Sequence, residues 1–396
     1  NIKVTDLKLG PKDVTTYDIA LDDLNSFSNY RVVNINYHGV DERWKLYIIP
    51  TDVKVSITSS DVRANYATLT AAGEANDQVG FRYRVLGESQ WLDSNEEIII
   101  ENGQFSTIID GLMPSTAYEF IAYSGSDNSE ILTQTTESIL DLPNSDLEQW
   151  SFPSTYNGVN NKSWFPFLED GEQYWGSGNQ GATTLGDSFN LTTPTEDIRP
   201  GSVGVKAASL QSRNTLKFAT GSIFTGSYIK TAGTNGIIGL GRPFTSRPEG
   251  LKGWMKYNCG VIDMVGTIPP GVEIIKGETL DQGSIFIALG TWDAATYGVS
   301  SFETTSLGTE QSPMIIDTRD SATFFNKNSE DIVAYGELII SESIDQWCEF
   351  SIDLTYRTLE IVPTHIIIVC SASRYGDYFT GSSKSLMLLD DLSLTW

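Results

Sequence analysis

Apolar residues along this chain alternate with polar ones or form short runs, and the 3.6-residue period of a helix is nearly absent. The runs are short, as in EIIIE (97–101) and IIIVC (366–370), and glycine, serine and threonine bound them. Such segments are typical of strands joined by turns. The pattern therefore predicts an all-β protein with many short strands.

The pattern divides the chain into three parts. Residues 1–52 contain the strand-like stretches NYRVVNINY (29–37) and RWKLYIIP (43–50), which predict a hairpin in a small β unit that must pack on its neighbour. Residues 53–140 contain seven strand-like pieces. Residues 141–396 form one large unit of strands and long glycine-rich loops, which suits a jelly roll of two sheets.

The stretch LMPSTAYEFIAY, within residues 53–140, resembles the turn before the penultimate strand of a fibronectin type III domain. Leu112, Pro114, Thr116 and Tyr118 carry this resemblance. In that immunoglobulin-like sandwich the tyrosine hydroxyl bonds to the backbone a few residues upstream. The resemblance implies a buried Tyr118 and a sandwich that acts as a spacer.

Charge and composition exclude several functions. The chain has 26 lysines and arginines against 51 acids, a formal charge of −25, so no nucleic-acid partner is expected. No apolar run is long enough to span a bilayer. Three scattered cysteines and two histidines argue against a disulfide framework, a zinc site and a Ser-His-Asp triad. Since the chain begins at Asn1 without an initiator methionine, we expect an upstream secretory signal that has been removed.

The loop SASRYGDYFTG (371–381) follows a predicted buried strand and is richer in rings and charges than a turn requires. We interpret Arg374, Tyr375, Asp377 and Tyr378 as ligand contacts, because sugars stack on rings while polar groups hold their hydroxyls. In the alternative, Arg374 and Asp377 satisfy each other and the rings cover the core.

Other aromatic and basic residues are candidates for the same concave patch. Trp164 and Trp175 lie in a loop rich in Asn, Gly and Ser, and Tyr257 follows a third tryptophan closely. Arg242 and Arg247 each precede a proline and could grip hydroxyls or carboxylates. The alternatives are burial in the core for the rings and pairing with protein acids for the arginines.

Several motifs of the last unit together resemble the putative carbohydrate metabolism domain family of gut Bacteroidetes. They are IFTG (223–226), GRPFTSRPEGLKGWMKY (241–257), SIFIALGTWD (284–293), VAYGEL (333–338), SASRYGDYFTG (371–381) and SLMLLDDLSL (385–394). The resemblance implies a jelly roll similar to carbohydrate-binding modules, on an exported, often lipid-anchored protein of the periplasm or cell surface. It implies glycan as the partner and leaves the reaction open.

We favour an exported glycan-binding protein that uses a concave face of the jelly roll. The alternatives are a glycoside hydrolase with paired carboxylates in the same groove, and a structural or adhesin subunit. A hydrolase needs two carboxylates about 5–10 Å apart, and we favour Asp377 and Glu249. The acids considered for this role are Asp377, Glu249, Glu337, Asp263 and Asp293.

A structural calcium ion is a further expectation. Jelly rolls of this kind often join their first and last strands through calcium, and Glu148 and Asp390 are the acids placed for it. Asp390 shares a face with leucines of the terminal strand, so it points inward. A buried carboxylate requires calcium, an arginine or several donors, and the sequence leaves these three open.

Overall fold

The computed structural model describes residues 55–73 and 78–396, together with the backbone of residues 31–37 and 40–46. Strand β1 (Arg31–Tyr37) pairs antiparallel with β2 (Val40–Leu46). The predicted hairpin is confirmed. Its second strand begins at Val40, which pairs with Tyr37, rather than at the predicted residue 43. The remainder of the predicted unit 1–52 lies outside the described residues.

The next strands form two facing sheets. They are β3 (Ser56–Val62), β4 (Tyr66–Ala72), β5 (Val79–Val85), β6 (Leu92–Asp93), β7 (Ile99–Glu101), β8 (Gln104–Asp110), β9 (Ala117–Ser124), β10 (Asp127–Asn128) and β11 (Leu132–Thr135). One sheet has the order β3-β4-β8-β7, and the other has β10-β9-β5-β6 with β11 beside β9. Burial alternates along β4, as expected for a strand with one face in a core.

Tyr118 has the environment that the sequence predicted. Its side chain is buried with Phe81, Phe105 and Phe120 in the core between these two sheets. The backbone N–H of Met113 donates to the Tyr118 hydroxyl oxygen at 2.9 Å. The predicted hydrogen bond is therefore confirmed, and it fixes the turn that precedes β9.

The remaining strands belong to the large last unit. They are β12 (Thr155–Tyr156), β13 (Val159–Asn160), β14 (Trp175–Ser177), β15 (Thr192–Thr195), β16 (Ala207–Gln211), β17 (Arg213–Asn214), β18 (Phe218–Ala219), β19 (Ser222–Ala232), β20 (Asn235–Leu240), β21 (Arg242–Pro243), β22 (Gly250–Asn258), β23 (Gly283–Gly290), β24 (Met314–Asp317), β25 (Ile332–Ile340), β26 (Ile344–Asp353), β27 (Thr355–Tyr356), β28 (His365–Ser371) and β29 (Leu386–Thr395). The described helices are α1 (Asn179–Ala182) and α2 (Ala294–Tyr297), with 3-10 turns at Thr183–Leu185, Asp187–Phe189, Ser321–Thr323 and Gly376–Tyr378.

Two antiparallel sheets enclose the main core of this unit. The larger has the order β24-β20-β19-β28-β23-β25-β27, with β14 beside β19 and β21 beside β28, and the smaller has β15-β16-β29-β22-β26. On β28, Ile366 and Ile368 pack in the main core, whereas Ile367 and Val369 pack on the opposite face of the sheet. Both faces of this central strand are covered, which explains its continuous apolar run. The predicted all-β fold is confirmed.

Arg247 joins the last unit to the preceding sandwich. Its guanidinium contacts Asp61 at 3.0 Å and Glu137, and its backbone N–H donates to Glu137 at 3.0 Å. Arg63 donates to the Arg247 carbonyl at 3.1 Å and lies over the Tyr356 ring at 4.5 Å. Arg247 is buried in these contacts, so its predicted role in a concave ligand patch is wrong.

Candidate functional site

The buried carboxylate of Asp281 anchors the loop between β28 and β29. Asp281 is fully buried, and one of its oxygens accepts from the Ser373 hydroxyl at 2.6 Å, the Ser382 N–H at 2.8 Å and the Ser385 hydroxyl at 2.8 Å. Its other oxygen accepts from the Gln282 N–H at 2.9 Å. Burial raises the pKa of Asp281. Asp281 thus fixes both ends of the loop that contains RYGDYF.

The 3-10 turn Gly376–Tyr378 lies directly on the chain that leads into β19. A Cβ at Gly376 would come within 2.2 Å of the Thr220 Cγ2 atom, so this close approach requires glycine. On its other side the Tyr378 ring meets Phe324 edge-on, with centroids 5.1 Å apart. The turn therefore packs against the segments that contain Thr220 and Phe324, and these contacts hold Asp377 in a defined position.

A cleft of about 190 Å³ lies beside this turn. Its walls include the aromatic residues Phe218, Tyr228 and Phe379, and small or hydroxyl-bearing residues fill much of the rest. Among the described residues that line it, Asp377 is the sole acid and Lys217 the sole base. The cleft is smaller than the roughly 300–1,000 Å³ of typical ligand pockets, so it fits a small part of a larger ligand.

Asp377 is the one predicted ligand residue that lines this cleft. Its side chain reaches solvent at the cleft, and no hydrogen bond or ion pair joins it to another described residue. Asp377 is exposed at the protein surface, and desolvation by neighbouring protein atoms raises the pKa of its carboxyl to about 6. At neutral pH the site therefore presents an ionised acceptor without a protein partner.

Lys217 contributes the opposite charge. Its Nζ donates to the Asn235 Oδ1 atom at 3.1 Å and lies 4.1 Å from the centroid of the Phe379 ring. Among the described residues no carboxylate lies within 4.0 Å of this ammonium. Lys217 and Asn235 were not identified from the sequence, because nothing in their neighbours distinguishes them from ordinary turn residues.

The other residues of the loop lie beside the cleft rather than in its walls. Arg374 is half-buried and donates to the side chain of Gln282 at 3.2 Å, and its guanidinium lies 5.5 Å from the Tyr375 ring centroid. Tyr378 is occupied by its contact with Phe324. The alternative in which Arg374 and Asp377 pair with each other is not observed.

Several predicted surface residues are buried instead. Trp175 is fully buried, and its indole N–H donates to the Pro143 carbonyl at 2.7 Å. Tyr257 is 1% exposed, and its hydroxyl donates to the Ala372 carbonyl at 2.9 Å. Trp164 is half-buried against the main core. The prediction of Trp175 and Tyr257 as sugar-stacking surfaces is wrong, because both rings fill the core.

Arg242 is buried at the far end of β28 from the loop. It pairs through its backbone with Ile366, and its guanidinium donates to carbonyl oxygens of Gln173 at 2.9 Å and Gly226 at 2.6 Å. Burial lowers the pKa of Arg242 to about 10. Because the seven residues of β28 span roughly 20 Å, Arg242 does not converge with Arg374 as predicted.

The predicted catalytic pair is also separated. Glu249 precedes β22 and donates its N–H to the Thr395 carbonyl, whereas the loop with Asp377 adjoins the other end of the same sheet. The nine residues of β22 span roughly 27 Å, far beyond the 5–10 Å that a glycosidase pair needs. Asp377 and Glu249 therefore cannot act as a pair.

The remaining acids have structural contacts. Glu337 pairs with Lys327, Asp263 accepts from the Ser383 N–H at 3.0 Å, and Asp293 caps α2. None of these three lines the cleft.

Asp390 is fully buried, as the sequence predicted, but its surroundings do not resemble a calcium site. One oxygen accepts from the Arg199 N–H at 2.9 Å and the other has no hydrogen-bond partner among the described residues. Glu148 instead accepts from the N–H groups of Val205 and Lys206, both at 2.9 Å. The described residues contain no group of three or more acidic, histidine or cysteine ligands for a metal. These residues do not fit calcium.

No helix within the described residues is both long and apolar enough to cross a membrane. Among solved structures, a putative glycoside hydrolase from Bacteroides thetaiotaomicron VPI-5482 is similar, with 17% identity and a TM-score of 0.44 over 89% of this chain and 99% of that chain. Another, from Bacteroides vulgatus ATCC 8482, has 19% identity and a TM-score of 0.42 over 63% of this chain and 96% of that chain. No curated protein matches this sequence.

A family model described as a putative carbohydrate metabolism domain matches residues 148–395. The match spans the unit in which the sequence motifs indicated this family, and it includes every residue that lines the cleft. The chain therefore belongs to the putative carbohydrate metabolism domain family.

Proposed function

We propose that this protein binds a glycan and that the cleft beside Asp377 takes one sugar residue of it. The observation that carries the proposal is the unpartnered Asp377 carboxylate in a cleft with aromatic walls. The half-buried rings of Tyr228 and Phe379 suit the apolar C–H faces of a sugar, and the carboxylate suits its hydroxyls. The small volume fits a single residue of a chain whose remainder lies outside.

Hydrolysis is a second candidate, because the pKa of about 6 at Asp377 is that of a general acid at neutral pH. Hydrolysis by paired carboxylates also needs a second acid close by, and the described lining of the cleft supplies none. Binding without bond cleavage is therefore the function that the geometry favours.

A glycan array with the full chain tests the proposal, followed by calorimetry on the best oligosaccharide. Asp377→Asn keeps the shape of the side chain and removes its charge, and should weaken binding about 10-fold or more, since hydrogen bonds to charged groups contribute about 1.5–3 kcal/mol. Asp127→Asn, on an exposed strand of the preceding sandwich, is the matched control and should bind normally.

The products distinguish the alternatives. New reducing ends that appear with the unchanged protein and vanish with Asp377→Asn, while binding persists, would establish a hydrolase. Absence of both binding and hydrolysis across the array would overturn the proposal and favour a structural or adhesin subunit.

We also propose that the protein works outside the cytoplasm, in the periplasm or on the outer-membrane surface, held by a lipid anchor. In this arrangement the sandwich that contains Tyr118 is a fibronectin III-like spacer. The carbohydrate family of the last unit supports this location. Cell fractionation and protease treatment of intact cells test it, and protein confined to the cytoplasm would contradict it.

A further inference from the structure

Two opposite charges line the same cleft, and the protein neutralises neither of them. Lys217 uses one of its ammonium donors on Asn235, and its other donors have no partner among the described residues. Asp377 has both carboxylate oxygens free of described partners. Because Lys217 lines the cleft, a ligand there can supply an acceptor for its free ammonium donors.

The two charged groups line one cleft without pairing with each other. Lys217 lies over the ring of Phe379, and Phe379 is two residues from Asp377 in the same turn. No ion pair forms between them, so the ammonium and carboxylate are more than 4.0 Å apart. The bond to Asn235 and the Phe379 ring hold the ammonium in place. The gap between the two groups can therefore admit polar atoms of a ligand.

The chemistry of the two groups limits what can bridge them. An ammonium only donates hydrogen bonds and a carboxylate only accepts them, whereas a hydroxyl does both. Hydroxyls of one sugar in the cleft can accept from Lys217 and donate to Asp377. A carboxylate on the sugar would attract Lys217 and repel Asp377, and an amine would do the reverse. The acidic surface of the chain opposes acidic sugars further.

We propose that the cleft selects a neutral sugar residue whose hydroxyls bind both Lys217 and Asp377. This inference rests on the proposed function, because it specifies the sugar that the same cleft binds. The rings of Tyr228 and Phe379 are the apolar surfaces available to that sugar.

Calorimetry with matched sugars tests the selection. Oligosaccharides of equal length carry a neutral hexose, its uronic acid or its 2-amino derivative at the chain end, in each linkage found positive on the array. We expect the neutral form to bind at least 10-fold more tightly than either charged form. Lys217→Gln should reduce the difference in affinity between the neutral sugar and the amino sugar. Asp377→Asn should reduce the difference in affinity between the neutral sugar and the uronic acid.

Lys252→Gln, on an exposed position of β22, is the matched control and should leave the ranking unchanged. Thermal unfolding of each variant shows whether it folds. Binding of a charged form as tightly as the neutral one, with Asp377→Asn still weakening binding, would overturn the selection and leave the proposed function intact. Absence of binding by every sugar would overturn both.

Discussion

Replacement of Asp281 by asparagine tests whether the loop of the candidate site depends on this one buried carboxylate. One Asp281 oxygen accepts from Ser373, Ser382 and Ser385, and the other accepts from Gln282. Asparagine has the same shape, but its amide nitrogen can only donate. The serine hydroxyls can rotate to accept from it, whereas the two backbone N–H groups cannot.

Either orientation of the new amide therefore leaves one buried backbone N–H without an acceptor. If the amide oxygen takes the three-donor position, the NH₂ group faces the Gln282 N–H, and in the flipped orientation it faces the Ser382 N–H. A buried donor without a partner costs about 1–3 kcal/mol. Loss of the charge weakens the remaining hydrogen bonds, but it also removes the cost of burying a charged Asp281 side chain. We therefore expect the free energy of unfolding to fall by about 2 kcal/mol.

Urea unfolding followed by tryptophan fluorescence measures this loss, because seven of the nine tryptophans lie beyond residue 141 and report the last unit. Glycan binding should weaken in the same variant, since the loop holds Asp377. The control Asp345→Asn removes an exposed charge and should change the free energy of unfolding by less than about 0.5 kcal/mol. If Asp281→Asn behaves like this control in both assays, the loop does not depend on Asp281.

Three further predictions follow from contacts elsewhere in the chain. Arg247→Ala should lower the free energy of unfolding in urea by about 3–5 kcal/mol, because a mostly buried carboxylate loses its cation, and exposed Arg213→Ala should have almost no effect. Equal losses would refute the role of Arg247. Tyr118→Phe should lower the same free energy by about 1 kcal/mol through the lost hydrogen bond from Met113, and an unchanged midpoint would count against it. Asp377 is ionised above its pKa of about 6, so glycan affinity should fall as the pH decreases through 6. In Asp377→Asn the affinity should not depend on pH in this range. A pH-independent affinity in the unchanged protein would contradict the prediction.

The sequence was sufficient for features that depend on neighbours along the chain. Alternation of apolar and polar residues predicted the strands, because successive side chains of a strand point to opposite faces. Tyr118 and the turn before it lie within a few residues of each other, so their hydrogen bond could be predicted. The inward direction of Asp390 followed from the leucines on either side of it. The motifs of residues 223–394 indicated the family in the same way.

The tertiary structure alone decided which faces and loops are covered. From the sequence alone, the rings of Trp175 and Tyr257 could lie on the surface or in the core. The packing of two sheets, built from strands far apart in sequence, places both rings in the core. Arg247 is buried because a separate sandwich supplies Asp61 and Glu137, more than a hundred residues away in sequence. Lys217 reaches the cleft through a similar long-range contact, with Phe379. Periodicity specifies the direction of a side chain relative to its own strand, but only sheet packing determines what that side chain meets.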